Sequence, residues 1–238
     1  MSDRTHLVDE ITGHRRMRRN RKADWTRRLV QENRLTVDDL IWPIFLVPGS
    51  GIVDPIEAMP GVNRMSVDKA VEAVREAADL GIPAIAPFPD VEMEKRDLTG
   101  SEILQRDNLI NQFVRAAKKA APDIGLITDV ALDPFTSHGH DGILRDGEIV
   151  NDETVDMLIK AAVMQADAGA QVLKIFESWA EGLPDDLFER LVLKPHQALV
   201  RRTRELGVTV PLIGFPRGSA ALAERYAEEV EVDAVALD

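Results

Sequence analysis

The residues best suited to chemistry lie in one stretch, Asp129–Gly142, with the sequence DVALDPFTSHGHDG. It gathers three carboxylates, Asp129, Asp133 and Asp141, and two imidazoles, His138 and His140, in a segment loosened by Gly139 and Gly142. Oxygen and imidazole donors at this density can hold a hard divalent ion or position a substrate amine. The same Asp-Pro and Gly residues would also make a plain surface turn. The chain contains no cysteine, which excludes a thiol nucleophile, a thiolate metal site and a disulfide framework. The neighbouring acidic run, Asp146–Glu153, reads as the start of a helix capped by Asn151 or Asp152.

Such groups act only if a scaffold points them at a common space. Short apolar runs recur along the chain as buried parallel strands do: Leu40–Leu46, Ala84–Phe88, Ile124–Leu132, Val172–Ser178, Pro211–Phe215 and Asp233–Leu237. Helical periodicity fills the intervals. Val67–Leu80 aligns Ala70, Val71, Val74, Ala77 and Ala78 on one face, and Asp107–Lys119 aligns Leu109, Ile110, Phe113, Val114 and Ala117. Thr154–Ala168, Asp186–Leu206 and Ser219–Glu229 complete the series.

This alternation predicts an α/β fold built from βαβ units. Neither a GxGxxG nor a GxxxxGK[ST] loop follows any strand, so a nucleotide-binding sheet is disfavoured against a TIM-type barrel. Closing a barrel takes eight strands. The expected architecture is therefore an incomplete (β/α)8 barrel of about six parallel strands with an N-terminal arm, and Asp129–Gly142 runs off the C-terminal end of the third strand, where barrel sites sit.

The 238 residues are 45% hydrophobic and 29% charged, the mixture of a soluble globular protein. No run approaches 18 apolar residues and no apolar signal segment opens the chain, so the expectation is a cytoplasmic protein with no membrane partner. The net charge of −12 is uneven: residues 1–35 hold ten Lys and Arg against five Asp and Glu, leaving the remainder strongly acidic. A basic arm of this kind is expected to bind an acidic body, its own or that of another copy. No aromatic residue is interleaved among Arg15–Lys22, which argues against nucleic acid.

Over residues 10–170 the chain closely resembles the porphobilinogen synthase family, also called 5-aminolevulinate dehydratase. The matching motifs are RRMRRNR in the arm, WPIFLVPG at the first strand, AMPGVNRMS, GIPAIAPFP at the second strand, DVALDPFTSHGHDG at the third, and GEIVNDETVDML with QADAGA in the next helix. The resemblance implies a barrel that condenses two molecules of 5-aminolevulinate into porphobilinogen in tetrapyrrole synthesis, with the arm wrapping a neighbouring subunit in a homo-oligomer. In zinc-dependent members, cysteines occupy the positions held here by Ala131, Asp133 and Asp141. The chain is thus similar to the cysteine-free branch, without an active-site zinc and with magnesium as the candidate ion elsewhere. Asp129, Asp133 and Asp141 are the implied site residues, orienting the amine and carbonyl of one substrate molecule.

The family's two Schiff-base lysines lie on later strands, and neither lysine-bearing motif occurs here. Only Lys174 and Lys194 remain after Ala170. Lys174 falls within a strand, and because a buried lysine is costly it is expected to point away from the site. Residues 168–238 instead resemble uroporphyrinogen decarboxylase, through AGAQVLKIFESWAEGL, DLFERLVLKPHQALVRR, VPLIGFPRGSAAL and VDAVALD. That resemblance implies a substrate-carboxylate contact at Ser178, which could equally cap the next helix. Arg217 in FPRG offers a planar fork to a carboxylate. The expected organisation is an arm over 1–35, a synthase-like part over 36–170 and a decarboxylase-like part over 171–238, joined at Ala168–Gly169–Ala170.

Overall fold

A computed structural model describes residues 19–238. The chain divides into two units at Thr36. In the first, a short turn at Arg19–Arg21 precedes helix α1, Asp24–Leu29, whose first turn is closed by Thr26 Oγ1 donating to the Ala23 carbonyl at 2.8 Å. The first residues of the arm motif RRMRRNR, Arg15–Arg18, lie outside the described residues.

The second unit carries the six expected parallel strands. They are β1 (Ile41–Leu46), β4 (Ala84–Pro89), β5 (Gly125–Asp129), β8 (Val172–Glu177), β9 (Leu212–Pro216) and β10 (Ala234–Val235), lying side by side in chain order. Two short strands unforeseen from sequence extend the sheet beyond β1. β3 (Asn63–Met65) runs parallel to β1, and β2 (Val53–Pro55) runs antiparallel to β3. Their segments, VDP and NRM, are too short and too polar to show a hydrophobic period. The sheet does not close: β10 and β2 are its edges among the described residues.

Helices α2 (Val67–Asp79), α3 (Leu109–Ala120), α4 (Asn151–Ala168), α6 (Lys194–Glu205) and α7 (Ala223–Val230) cover one face of the sheet. A short α5 (Asp185–Phe188) runs through a π-helical turn at Glu189–Leu193 directly into α6. The predicted apolar stripes are the packed ones: Ala70, Val74 and Ala77 on α2, and Ile110, Phe113, Val114 and Ala117 on α3. They meet the alternate strand residues Ile44, Leu46, Ile85, Leu126, Leu173 and Ile175 in one continuous core. Asn108 caps α3 by accepting from the Asn111 amide at 2.9 Å.

The acidic run after the third parallel strand differs from expectation. Leu144–Arg145 (β6) and Glu148–Ile149 (β7) pair as a hairpin, and its two turn residues, Asp146 and Gly147, both have positive φ, 51° and 85°. Helix α4 then begins at Asn151 behind Val150, so neither Asn151 nor Asp152 is its cap and no side chain caps it. At its other end Gly169 adopts φ 113°, and the amides of Gly169 and Ala170 bond back to Ala166 and Gln165. This left-handed glycine stop turns the chain into β8.

The strands' opposite face is the barrel interior, and it is only half-buried. Phe45, Phe88, Phe176 and Phe215 form a ladder across it, with ring centroids 5.9, 6.4 and 5.5 Å apart in sequence. On the helix side, Gly214 of β9 is required by packing. A methyl group there would lie 2.3 Å from the ring of Tyr226, which is fully buried on α7. Gly214→Ala is expected to lower unfolding free energy by at least ~1–3 kcal/mol, the usual cost of overpacking. Urea denaturation checks this, and an unchanged midpoint would show that Tyr226 moves freely.

Candidate functional site

Strand β5 delivers Asp129 to the C-terminal end of the sheet, opposite Lys174 in the β5–β8 register. Several bonds fix that position. The Val130 amide donates to the Lys174 carbonyl at 2.9 Å. Buried Gln165, from α4, accepts from Thr128 Oγ1 at 2.7 Å and donates through Nε2 to the Asp129 carbonyl at 2.9 Å. The Asp129 side chain itself is left unpaired: Oδ1 is shielded from solvent and has no hydrogen-bond partner. Burial holds its carboxyl well above the ordinary carboxylate range, helped by repulsion from Asp133 and Asp141 and opposed by Lys174.

Lys174 corrects the sequence expectation. Because Leu173 and Ile175 are buried in the helix-side core, the strand's period of two turns Lys174 and Phe176 onto the interior face. Its Nζ sits 4.3 Å from the Phe176 centroid and 4.7 Å from that of Phe215. These aromatic faces offset part of the burial cost that argued for an outward side chain. Burial lowers the amine from its ordinary value, and Asp129 opposes that shift. The other late lysine, Lys194, lies in the helical layer, where it pairs with Glu189 at 2.9 Å.

The three aspartates come together but differ in what their oxygens do. Asp141 Oδ1 accepts from the amides of Leu132 (2.7 Å) and Asp133 (3.1 Å), clasping the loop that follows β5. Asp133 is exposed at the mouth, yet the surrounding protein mass, and then Asp141, push its carboxyl up to about 6 against the opposing pull of its own amide, Arg96 and His140. Arg96 is anchored by its own bonds to Asp90 and the Val91 carbonyl, both 2.8 Å. His138 Nδ1 accepts from the His140 amide at 3.3 Å, the two rings stack 6.3 Å apart, and His138 Nε2 is buried without a partner. Among the described residues, no group of three or more His, Asp or Glu is placed to hold a metal ion.

Ser178 and Arg217 follow the ends of β8 and β9. Both are exposed. Ser178 caps no helix, since α5 begins at Asp185 behind Pro184. It lines a cleft of about 180 Å3 together with Asp141, Glu177, Trp179 and His196. The Arg217 amide donates to the Glu177 carbonyl at 3.1 Å, and its guanidinium has no ion-pair partner among the described residues. Sequence reasoning missed Glu177, whose Oε1 accepts from the Trp179 amide at 3.0 Å and whose carboxyl is raised by burial. It also missed buried His196, whose Nδ1 lies 2.7 Å from the Tyr226 hydroxyl, and which burial lowers to about 4. The available signal was the 3.6 spacing of Val192, His196, Leu199 and Thr203, all buried.

The family model described as delta-aminolevulinic acid dehydratase matches residues 14–176, and that of uroporphyrinogen decarboxylase matches residues 149–238. The chain is 55% identical over 158 residues to a delta-aminolevulinic acid dehydratase of Bradyrhizobium diazoefficiens, covering 66% of this chain and 45% of the relative. It is 44% identical over 160 residues to one from Rhodobacter capsulatus, covering 66% and 48%. A crystal structure of delta-aminolevulinic acid dehydratase (porphobilinogen synthase) from Toxoplasma gondii, in complex with the reaction product porphobilinogen, superposes with a TM-score of 0.64 at 27% identity. It covers 92% of this chain and 82% of that one. The chain spans about half the length of the curated relatives it matches.

The raised carboxyl of Asp133 sets the sign of a pH effect. The folded chain keeps this proton up to about 6, whereas an unfolded carboxylate releases it near the ordinary value of 3.8. The native state therefore holds more protons across that window, and this group's contribution makes stability fall as pH rises from 3.8 to about 6. Solvent screening of an exposed side chain limits the effect to about 1 kcal/mol or less. Asp133→Asn is expected to gain stability over wild type as pH rises from 4 to 7 in parallel urea titrations, and a constant difference would refute the assignment.

Proposed function

Because this chain belongs to the delta-aminolevulinic acid dehydratase family over residues 14–176, we propose that its interior face recognises 5-aminolevulinate. The observation that carries this reading is the pairing of two carboxyls of different character at the end of β5. Asp133, at the mouth and ionised above about pH 6, receives the substrate ammonium. Asp129, whose protonated form burial favours, donates to the substrate's keto oxygen. Asp141 holds the backbone at Asp133 through its two amide bonds and Gln165 fixes Asp129, and the phenylalanine ladder faces the carbon chain. Ser178 and Arg217, at the ends of neighbouring strands, are proposed to meet the substrate carboxylate.

Condensing two substrate molecules through two imine-forming lysines is a further requirement. The two lysine motifs that the resemblance calls for have no counterpart here, so this chain alone is proposed to bind the substrate without making the pyrrole. A zinc ion does not fit the residues present: Ala131 carries no donor atom, and Asp141 Oδ1 is already engaged by two amides. Self-assembly through the basic arm, in the cytoplasm, completes the proposal.

A decarboxylase role draws support from the match over residues 149–238. The cleft beside Ser178 counts against it. Its volume of about 180 Å3 falls below the roughly 300–1,000 Å3 of sites for drug-sized ligands, and a carboxylated macrocycle is larger still.

Calorimetric titration with 5-aminolevulinate tests the leading reading. One binding event is expected at pH 7.5, weakened by about tenfold at pH 5 and by about tenfold in Asp133→Asn, as loss of one charge-assisted contact requires. An affinity that ignores both changes would overturn ammonium recognition. A colorimetric pyrrole assay is expected to stay blank, and turnover would show that the required amines are present.

A further inference from the structure

Lys174 rests on aromatic faces but has no polar partner among the described residues. Its Nζ makes neither a hydrogen bond nor an ion pair with any described residue, although Asp129 faces it across the strand ladder. A lysine retained for stability would close that gap, because an unpaired cation in a half-buried apolar setting is costly. Instead the amine rests on two aromatic faces, and the nearest carboxyl keeps a shielded, unbonded oxygen. Two complementary groups held near each other without bonding leave room for an atom that both can touch.

We infer that Lys174 is a carbonyl-trapping amine: its Nζ, on the interior face of β8 over Phe176 and Phe215 and opposite Asp129, forms an imine with the keto group of a small oxo acid. Neither family motif quoted for this segment gives this position a role. The neutral amine attacks the carbonyl carbon, and the carbon–nitrogen bond forms as Asp129 protonates the oxygen. Asp129 then recovers a proton from nitrogen and delivers it to the departing hydroxyl. Water departs with the carbonyl oxygen, one proton from Asp129 and one from the amine, leaving an iminium; transfer of the remaining nitrogen proton to the Asp129 carboxylate gives the neutral imine and restores the acid. The carbon–oxygen bond is the one broken, and nothing is oxidised or reduced.

The direction of each perturbation supports this order of events. Burial favours the uncharged amine at Lys174 and the protonated acid at Asp129, the two forms that addition consumes. The aromatic walls still tolerate the iminium cation once it forms. The inference shares its site with the proposed substrate recognition but does not depend on the ammonium contact at Asp133.

The test uses the full 238-residue chain, sodium borohydride as trapping reductant, and two probes: 5-aminolevulinate and 4-oxopentanoate, the same keto acid without the amine. Intact-mass measurement is expected to show one reduced adduct with either probe, and peptide mapping to place it on Lys174. Lys174→Arg and Lys174→Ala should lose it, while Lys194→Ala keeps it. Asp129→Asn should slow trapping at least tenfold. No adduct with either probe, or an adduct spread over surface lysines or surviving in Lys174→Arg, overturns the inference. Mapping on the wild-type chain decides even if a variant fails to fold. Trapping of 4-oxopentanoate on Lys174 alongside 5-aminolevulinate binding that is indifferent to Asp133→Asn would leave Lys174 standing and remove ammonium recognition. Asp133-dependent binding with no Lys174 adduct would do the reverse.

Discussion

The register of β5 against β8 is the constraint on which the rest depends. Side chains alternate across a strand with a period of two, so a slip of one residue would send Lys174 into the helix-side core and bring Leu173 and Ile175 to the interior. The alignment is held from both ends. At one end the Gln171 amide bonds the Leu126 carbonyl at 3.0 Å, and its side chain accepts from the Leu126 amide at 3.2 Å. At the other, the Val130 amide bonds Lys174. Gln165 adds a crossbrace from α4, tying the position of Asp129 to the helix that precedes β8. β5 lies in the part matched by the dehydratase model alone and β8 almost wholly in the overlap of the two family models, residues 149–176, and the hydrogen bonds between them are those of an ordinary parallel ladder.

Burial does the electrostatic work at this juncture. An acid and an amine brought near each other in water would both ionise and pair. Here desolvation outweighs their attraction: Asp129 is driven toward the protonated form and Lys174 toward the neutral one. Asp133, a few residues along at the exposed mouth, feels a weaker version of the same effect. A gradient of solvation thus gives three aspartates three conditions: one biased toward the protonated form, one poised near 6, and one engaged as a loop clasp.

Much of this was legible from residue pattern. All six parallel strands and the main helices lie where apolar runs and 3.6 spacing place them, because those signals come from the core itself. The loop Asp129–Gly142 stood out through composition, and its aspartates do converge. What was not legible depended on contacts distant in sequence. The β2–β3 extension is too short to carry a period, and the Asp146–Gly147 hairpin turn was masked by its acidic neighbours. The inward face of Lys174 could be known only from the parity of β8 in the assembled sheet. The general cost of burying lysine pointed the wrong way, since it took no account of Phe176 and Phe215 beneath the amine. Glu177 and the His196–Tyr226 pair gave no motif, because their significance lies in partners on other elements.

One feature of the rim gives the molecule an optical handle. Of the three tryptophans, Trp25 belongs to the first unit and Trp42 lies on β1, whereas Trp179 projects 74% exposed beside Ser178 and bonds through its amide to Glu177. Its indole lines the cleft beside Ser178, and any occupant that sheds water there alters the polarity around that ring. Once Trp25, itself 65% exposed in the first unit, is replaced, emission wavelength and quenching by iodide would follow occupancy without a label.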